Sequence, residues 1–195
     1  GLIGREHPIT DPKMKKSFLN FLRGAAVFAS KLNVDSLIVS SCQEIAGKSK
    51  EQQWKAYVGA VQEAADILRK HNMTVLLEPL NRSDRPRSFL YNLNDTLQII
   101  EEVDGKVEIL FDVFHLYKEE RDIFKALESC REHLGHIHIA DVPDRHEPGT
   151  GVINWKMFVK TLKNINYHGY VGLEFVPAKT TEQSILATLD ALKSA

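Results

Sequence analysis

The stretch His136–Asp141, with the sequence HIHIAD, runs directly into VPDRHEPGTG at residues 142–151. The first part alternates polar and apolar side chains and is rich in β-branched residues, which is typical of a strand. The second part is dense in proline, glycine and charge, which predicts that the strand ends in a loop. Polar residues at the carboxyl end of a strand are where a (β/α)8 barrel carries its chemistry. Taken alone, the stretch fits a half-exposed strand with two solvated histidines equally well.

The same alternation of strand and helix recurs along the chain. Short runs rich in β-branched residues predict strands at residues 35–40, 74–78, 107–112, 136–141 and 170–175. Apolar residues at helical spacing predict helices at residues 13–32, 51–71, 93–103, 122–134, 155–162 and 181–193. Strict alternation of the two elements favours right-handed crossovers and a parallel sheet.

Five parallel strands fit either an open doubly wound sheet or part of a barrel. No glycine-rich phosphate-binding fingerprint follows any predicted strand, which argues against a dinucleotide-binding sheet. Residues 1–12 are turn-rich and resemble a loop entered from an upstream element. We therefore predict an α/β fold in which residues 1–195 form a single, partial domain. It would hold the last five βα units of an eight-stranded TIM-type barrel.

The bulk composition excludes several classes of function. The chain has 195 residues, of which 43% are hydrophobic and 26% charged, with a formal net charge of −1. This charge gives no basic field to hold nucleic acid or an anionic membrane, and no apolar run approaches the roughly 20 residues that span a bilayer. Cys42 and Cys130 lack metal-type spacing, so we expect buried free thiols in a reducing compartment. No secretory signal is recognisable, and we expect a cytoplasmic protein.

Each of the last four predicted strands finishes on a residue that can bind a divalent cation: Glu78, Asp112, His138 and Glu174. Neighbouring members are 34, 26 and 36 positions apart, about one βα unit each time. Because consecutive strand ends lie side by side around the mouth of a barrel, the four side chains are expected to converge. Three carboxylates and one imidazole suit Mn²⁺, Mg²⁺ or Co²⁺ better than a thiolate-binding metal. The alternative for each acid taken alone is a solvated strand end or a helix cap.

Three further residues are expected near the same mouth. His115 follows Asp112 by three positions, Asp84 lies in the loop after Glu78, and Arg145 lies in the loop after the fourth strand. An arginine offers a fixed fork of donors for a substrate oxygen or carboxylate. The alternatives are a structural histidine, a turn aspartate and a solvated arginine.

Four short motifs identify a known superfamily. The sequence EPLNR at Glu78–Arg82, DVFH at Asp112–His115, HIH at His136–His138 and RHEPGTG at Arg145–Gly151 resemble the xylose isomerase-like barrels of the sugar isomerase and epimerase superfamily. Among them, hydroxypyruvate isomerases are most similar and ketose 3-epimerases second. The resemblance covers nearly the whole chain from the first predicted helix onward.

The resemblance implies a TIM-type barrel and assigns roles to the residues that match. It implies that one divalent metal ion is held by Glu78, Asp112, His138 and Glu174. The two glutamates, Glu78 and Glu174, would also be the catalytic acid/base pair. Substrate would be bound by His115, Arg145 and Asp84.

The resemblance also implies an activity. The implied protein is a metal-dependent isomerase that moves a proton on an α-hydroxycarbonyl compound through an enediolate. The conversion of hydroxypyruvate to tartronate semialdehyde is the reaction most strongly implied. Hydroxypyruvate isomerases often carry glutamine where this chain has His138, whereas ketose epimerases carry histidine there. Asp84, in contrast, is the residue typical of hydroxypyruvate isomerases. Ketose 3-epimerase and polyol dehydratase activities therefore remain as alternatives.

Two alternative functions lie outside the isomerases, epimerases and dehydratases of this superfamily. One is a phosphodiesterase of the abasic-site endonuclease type, which would need more metal ligands and a basic surface. The other is a binding module or inactive barrel remnant. We expect a small hydroxyacid or sugar as ligand, and neither nucleic acid nor a membrane as partner. Because a barrel without three strands exposes two sheet edges, a homo-oligomer is one expected consequence.

Overall fold

The computed structural model describes residues 8–193, in which five parallel strands form one sheet in chain order. The strands are β1 (Ser36–Ser40), β2 (Thr74–Glu78), β3 (Val107–Asp112), β4 (Leu134–Ile139) and β5 (Val171–Leu173). The α-helices are α1 (Pro12–Lys31), α2 (Lys50–Arg69), α3 (Leu93–Glu102), α4 (Val113–Tyr117), α5 (Ile123–Ser129), α6 (Trp155–Asn164) and α7 (Thr181–Lys193). This half-barrel of βα units confirms the predicted fold class. No helix within residues 8–193 is long and apolar enough to cross a bilayer.

The strand register aligns the carboxyl ends of the strands. Ser40 pairs with Glu78 in the β1–β2 ladder, and Asp112 pairs with His138 in the β3–β4 ladder. His138 in turn pairs with Gly172 of β5, two residues before Glu174. Side chains of alternate residues point to the same face of a strand, so these strand ends present their polar groups at one edge of the sheet.

One face of the sheet is an apolar layer that the helices cover. Val75, Leu77, Ile109, Phe111 and Ile137 have no exposed surface and belong to the core that the helices complete. Because strand side chains alternate between faces, their neighbours point toward the barrel interior. Alternation along each strand thus places the apolar core on the helix-covered face and the polar strand ends on the face toward the barrel interior.

Helix starts follow from capping side chains that are visible in the sequence. Asp11 caps α1 by accepting hydrogen bonds from the amides of Lys13 and Met14, with Pro12 as the first helical residue. Ser49 and Gln52 form a complete capping box at the start of α2. Each cap satisfies amide groups that have no partner within the helix.

The structure differs from the prediction in three elements. Helix α4 was not predicted, because its five residues are too few to show a period. The predicted helix at 122–134 ends at Ser129 and continues as a 3-10 turn, Arg131–His133, before β4 begins at Leu134. Strand β5 ends at Leu173 rather than at residue 175, and just beyond it Val176 donates its amide to the carbonyl of Arg145.

Candidate metal centre

Four strand-end side chains converge where the sequence analysis expected them. Glu78, Asp112, His138 and Glu174 each offer one ligand atom, and these atoms all lie within 4.8 Å of one another. Glu78 and Asp112 are the last residues of β2 and β3, His138 is the penultimate residue of β4, and Glu174 directly follows β5. Four polar residues from separate βα units therefore form a single cluster.

Asp112 divides its two oxygens between the fold and the cluster. Its Oδ1 accepts hydrogen bonds from the amides of Phe114 and His115 at 2.9 and 3.2 Å, which caps α4. Its Oδ2 is left for the cluster. Burial, together with the carboxylates of Glu78 and Glu174, raises the pKa of Asp112 to about 7 against the opposing effect of Arg145.

Glu78 is buried with one oxygen bound and the other unbound. The hydroxyl of Ser40 donates a hydrogen bond to Oε2, whereas Oε1 has no hydrogen-bond partner within residues 8–193. A buried carboxylate oxygen without a partner is energetically costly, and a bound cation would compensate it. Ser40 was missed from the sequence, because a serine at the end of a strand carries no distinctive signal.

His138 and Glu174 form the other side of the cluster. His138 Nδ1 lies 3.3 Å from Glu174 Oε2. Burial opposes a charge on the ring, but the carboxylates of Glu174, Asp112 and Glu78 outweigh it and raise the pKa of His138. The neighbouring His138 imidazole and the positive charge of Arg145 lower the pKa of Glu174 to about 2. Glu174 is therefore an anion at neutral pH.

The donor set fits a hard divalent cation. Three carboxylates within one cluster repel one another, and a cation between them would remove that repulsion. The unpartnered Glu78 Oε1 offers one vacant oxygen, and three oxygen donors with one imidazole suit Mn²⁺, Mg²⁺ or Co²⁺.

Arg145 contacts the carboxylates of the cluster directly. Its Nη2 lies 2.9 Å from Asp112 Oδ2 and 2.5 Å from Glu174 Oε2. Its Nη1 lies 3.1 Å from His115 Nε2. The structure thus brings two of the three predicted substrate-binding residues, Arg145 and His115, to the edge of the cluster.

Asp84 lies further out, on the rim. It pairs with Lys118 Nζ at 2.9 Å and accepts a hydrogen bond from Asn81 Nδ2 at 3.1 Å. Asn81 Nδ2 in turn lies 2.7 Å from His115 Nδ1, so Asp84 reaches the cluster only through Asn81 and His115. Lys118 opposes the effect of partial burial and lowers the pKa of Asp84. Asn81 is fully buried and was quoted in the EPLNR motif without a role.

Comparison with known proteins identifies the family. The model of the xylose isomerase-like TIM barrel family matches residues 4–195. The chain belongs to this family. Hydroxypyruvate isomerase of Escherichia coli is 31% identical over 175 residues, which cover 89% of this chain and 68% of that protein. The 2-oxo-tetronate isomerase of Haemophilus influenzae is 30% identical over 158 residues, which cover 80% of this chain and 61% of that protein. These relatives confirm the predicted isomerase class.

Solved structures of other proteins superimpose on most of the chain. The AP endonuclease family 2 protein from Brucella melitensis has a TM-score of 0.84 at 26% identity, covering 90% of this chain and 68% of that one. D-psicose 3-epimerase from Clostridium cellulolyticum has a TM-score of 0.81 at 25% identity, covering 94% and 72%. The chain thus spans about two thirds of the length of its relatives.

Proposed function

We propose that this xylose isomerase-like protein is a metal-dependent isomerase of short 2-oxo acids, with hydroxypyruvate as the first candidate substrate. The observation that carries the proposal is the convergence of Glu78, Asp112, His138 and Glu174 within 4.8 Å. The relatives named as hydroxypyruvate and 2-oxo-tetronate isomerases support the substrate class.

The proposed reaction moves one proton between neighbouring carbons. In hydroxypyruvate, a base removes a proton from the hydroxymethyl carbon, and the hydroxyl proton passes to the former carbonyl oxygen. An acid then returns a proton to the former carbonyl carbon, which leaves an aldehyde at the former hydroxymethyl carbon. The divalent cation supplies Lewis-acid stabilisation of the negative charge that develops on oxygen. Glu78 and Glu174 come from the two outer strands of the four, so their carboxylates can flank a substrate and exchange its protons.

The cationic side of the site suits a substrate carboxylate. The Arg145 guanidinium lies at the cluster, with its Cζ 4.8 Å from the centroid of the Phe114 ring. Lys118 Nζ lies 4.1 Å from the centroid of the same ring. Arg145 would bind the carboxylate by paired hydrogen bonds, with His115 orienting the neighbouring hydroxyl. A ketose lacks this carboxylate, which is why a 2-oxo acid is preferred here to a ketose.

The function is tested by product analysis with a substrate panel. The purified chain is incubated with Mn²⁺, Mg²⁺ or Co²⁺ and with hydroxypyruvate, 2-oxo-tetronate, D-fructose or D-psicose. We expect tartronate semialdehyde from hydroxypyruvate, and loss of activity with EDTA. Epimerised ketose as the main product would assign the protein to the epimerase branch instead, and loss of water from a polyol to the dehydratase branch. Cleavage of abasic DNA without isomerisation would overturn the proposal.

The acid/base assignment is tested with E78Q and E174Q. Each keeps the shape of the side chain but removes the basic oxygen, so turnover at saturating metal should fall by about 10²- to 10⁴-fold. Bound metal is measured in each variant, because both residues are also proposed ligands. E132Q, at an exposed position before the start of β4 and so at the opposite end of that strand from His138, is the matched control. Turnover like that of the wild type in E78Q or E174Q would contradict the assignment.

A further inference from the structure

The loop that carries Arg145 is built around a second buried carboxylate, that of Asp141. Asp141 is 1% exposed. Its Oδ1 accepts hydrogen bonds from the amides of Val142 and Ile153 at 2.9 and 3.2 Å. Its Oδ2 accepts from the amide of Gly149 and from Trp155 Nε1, both at 2.8 Å. Four donors on one carboxylate connect the beginning of the loop, its far end and the start of α6.

The backbone of Arg145 is fixed within this arrangement. Its φ is +58°, a left-handed conformation that is unfavourable for a non-glycine residue. The Arg145 amide donates to the carbonyl of Asp141 at 3.1 Å, and its carbonyl accepts from the amide of Val176 at 2.8 Å. The loop therefore holds this conformation from both sides.

A buried glutamate joins the loop to the segment after β5. Glu147 is 2% exposed, and its Oε2 accepts a hydrogen bond from the amide of Ala178 at 2.9 Å. The segment it joins begins with Glu174, one of the four clustered residues. Glu147 thereby fixes the distance between the Arg145 loop and the strand end that carries Glu174.

We propose that Asp141 is a positioning residue for Arg145, with Glu147 as the second anchor, and that both set the affinity for the substrate carboxylate through the Arg145 guanidinium. Neither carboxylate lies in the cluster of metal-binding candidates. Asp141 instead accepts four N–H donors from the loop and α6, and Glu147 accepts the amide of Ala178. The kinetic part of this inference rests on the proposed function.

The variant D141N tests the inference with the smallest change of shape. The amide group that replaces one oxygen can only donate, so in either orientation it faces two N–H donors. We expect the KM for hydroxypyruvate to rise about tenfold or more, with a smaller change in kcat. E132Q is again the control, and E147A, which removes the acceptor of the Ala178 amide, is the second variant if D141N does not fold.

A double-mutant cycle separates positioning from a general structural role. If Asp141 acts through Arg145, D141N should have little further effect on kcat/KM in the R145Q background. Losses that multiply in D141N/R145Q would overturn the inference. The same cycle with E147A and R145Q applies the same criterion to the second anchor.

Hydrogen exchange tests the positioning claim without any activity. The amides of Val142, Gly149 and Ile153 should exchange faster in D141N than in the wild type, whereas the amides of β2 and β3 should not change. Unchanged exchange in the loop would overturn the inference even if the protein proves to be an isomerase. Faster exchange confined to the loop supports the positioning role even if no isomerase activity is found.

Discussion

At the scale of single residues, the chemistry of the site is visible in the sequence where a side chain is unusual for its position. Acids and a histidine at strand ends stand out against the β-branched residues before them, so the four cluster residues could be predicted. Ser40, Asn81 and Asp141 could not be assigned roles, because serine, asparagine and aspartate are common in loops and at strand ends. Their roles depend on distances between residues remote in sequence, such as Ser40 and Glu78.

The contact between Ser40 and Glu78 gives a prediction at this scale. S40A removes the only hydroxyl that donates to Glu78 within the described residues, and hydrogen bonds to charged groups contribute about 1.5–3 kcal/mol. We expect kcat/KM to fall about tenfold or more, as measured by initial rates with hydroxypyruvate.

The matched control is S17A, since Ser17 Oγ donates only to the carbonyl of Lys13 on the exposed side of α1. Equal rates in S40A, S17A and the wild type would show that Ser40 does not support Glu78.

At the scale of elements, the alternation of strands and helices was predictable because each has a clear period. Short elements were not predictable from a period. Helix α4 begins at the end of β3, because the side chain of Asp112, the last strand residue, caps it. Asp112 therefore links the element to the site, with one oxygen holding the helix and the other facing the cluster. The strand order, which places the four residues together, follows from parallel pairing of consecutive units.

The close approach of β5 to β4 gives a prediction at this scale. A Cβ on Gly172 would lie 2.9 Å from His138 Cδ2 and 3.1 Å from His136 Nε2. G172A should therefore displace the His138 ring and weaken Mn²⁺ binding about tenfold or more, as measured by calorimetry.

G24A is its control, because a Cβ on Gly24 of α1 meets nothing within 4 Å. Alanine there should leave Mn²⁺ affinity unchanged and raise the melting temperature slightly, since glycine is unfavourable inside a helix. Wild-type Mn²⁺ affinity in G172A would contradict the account of how β5 packs beside His138.

At the scale of the whole molecule, the helix-side core and the polar mouth are separate layers of one sheet. Both cysteines are buried members of the apolar core. Burial raises the pKa of Cys42 to about 11 and that of Cys130 to about 12. This agrees with the expectation of buried free thiols.

These thiols report on the integrity of the core. At pH 8, below both pKa values, neither thiol should react with a disulfide reagent in the folded protein, because thiolate and access are both lacking. Two thiols should react after unfolding in denaturant. Rapid reaction of a thiol in the folded protein would show that this part of the core is open.

Deuterium exchange into hydroxypyruvate is the measurement that tests the central claim most directly. The chain is incubated in D₂O with hydroxypyruvate and Mg²⁺, and the hydroxymethyl protons are followed by NMR against a sample without protein. If the four strand-end residues hold a cation and move a proton, deuterium should appear at the former carbonyl carbon of the product and, through the reverse reaction, at the hydroxymethyl carbon. EDTA or E78Q should abolish both. Exchange at the rate of the protein-free sample with Mg²⁺ present would contradict the account.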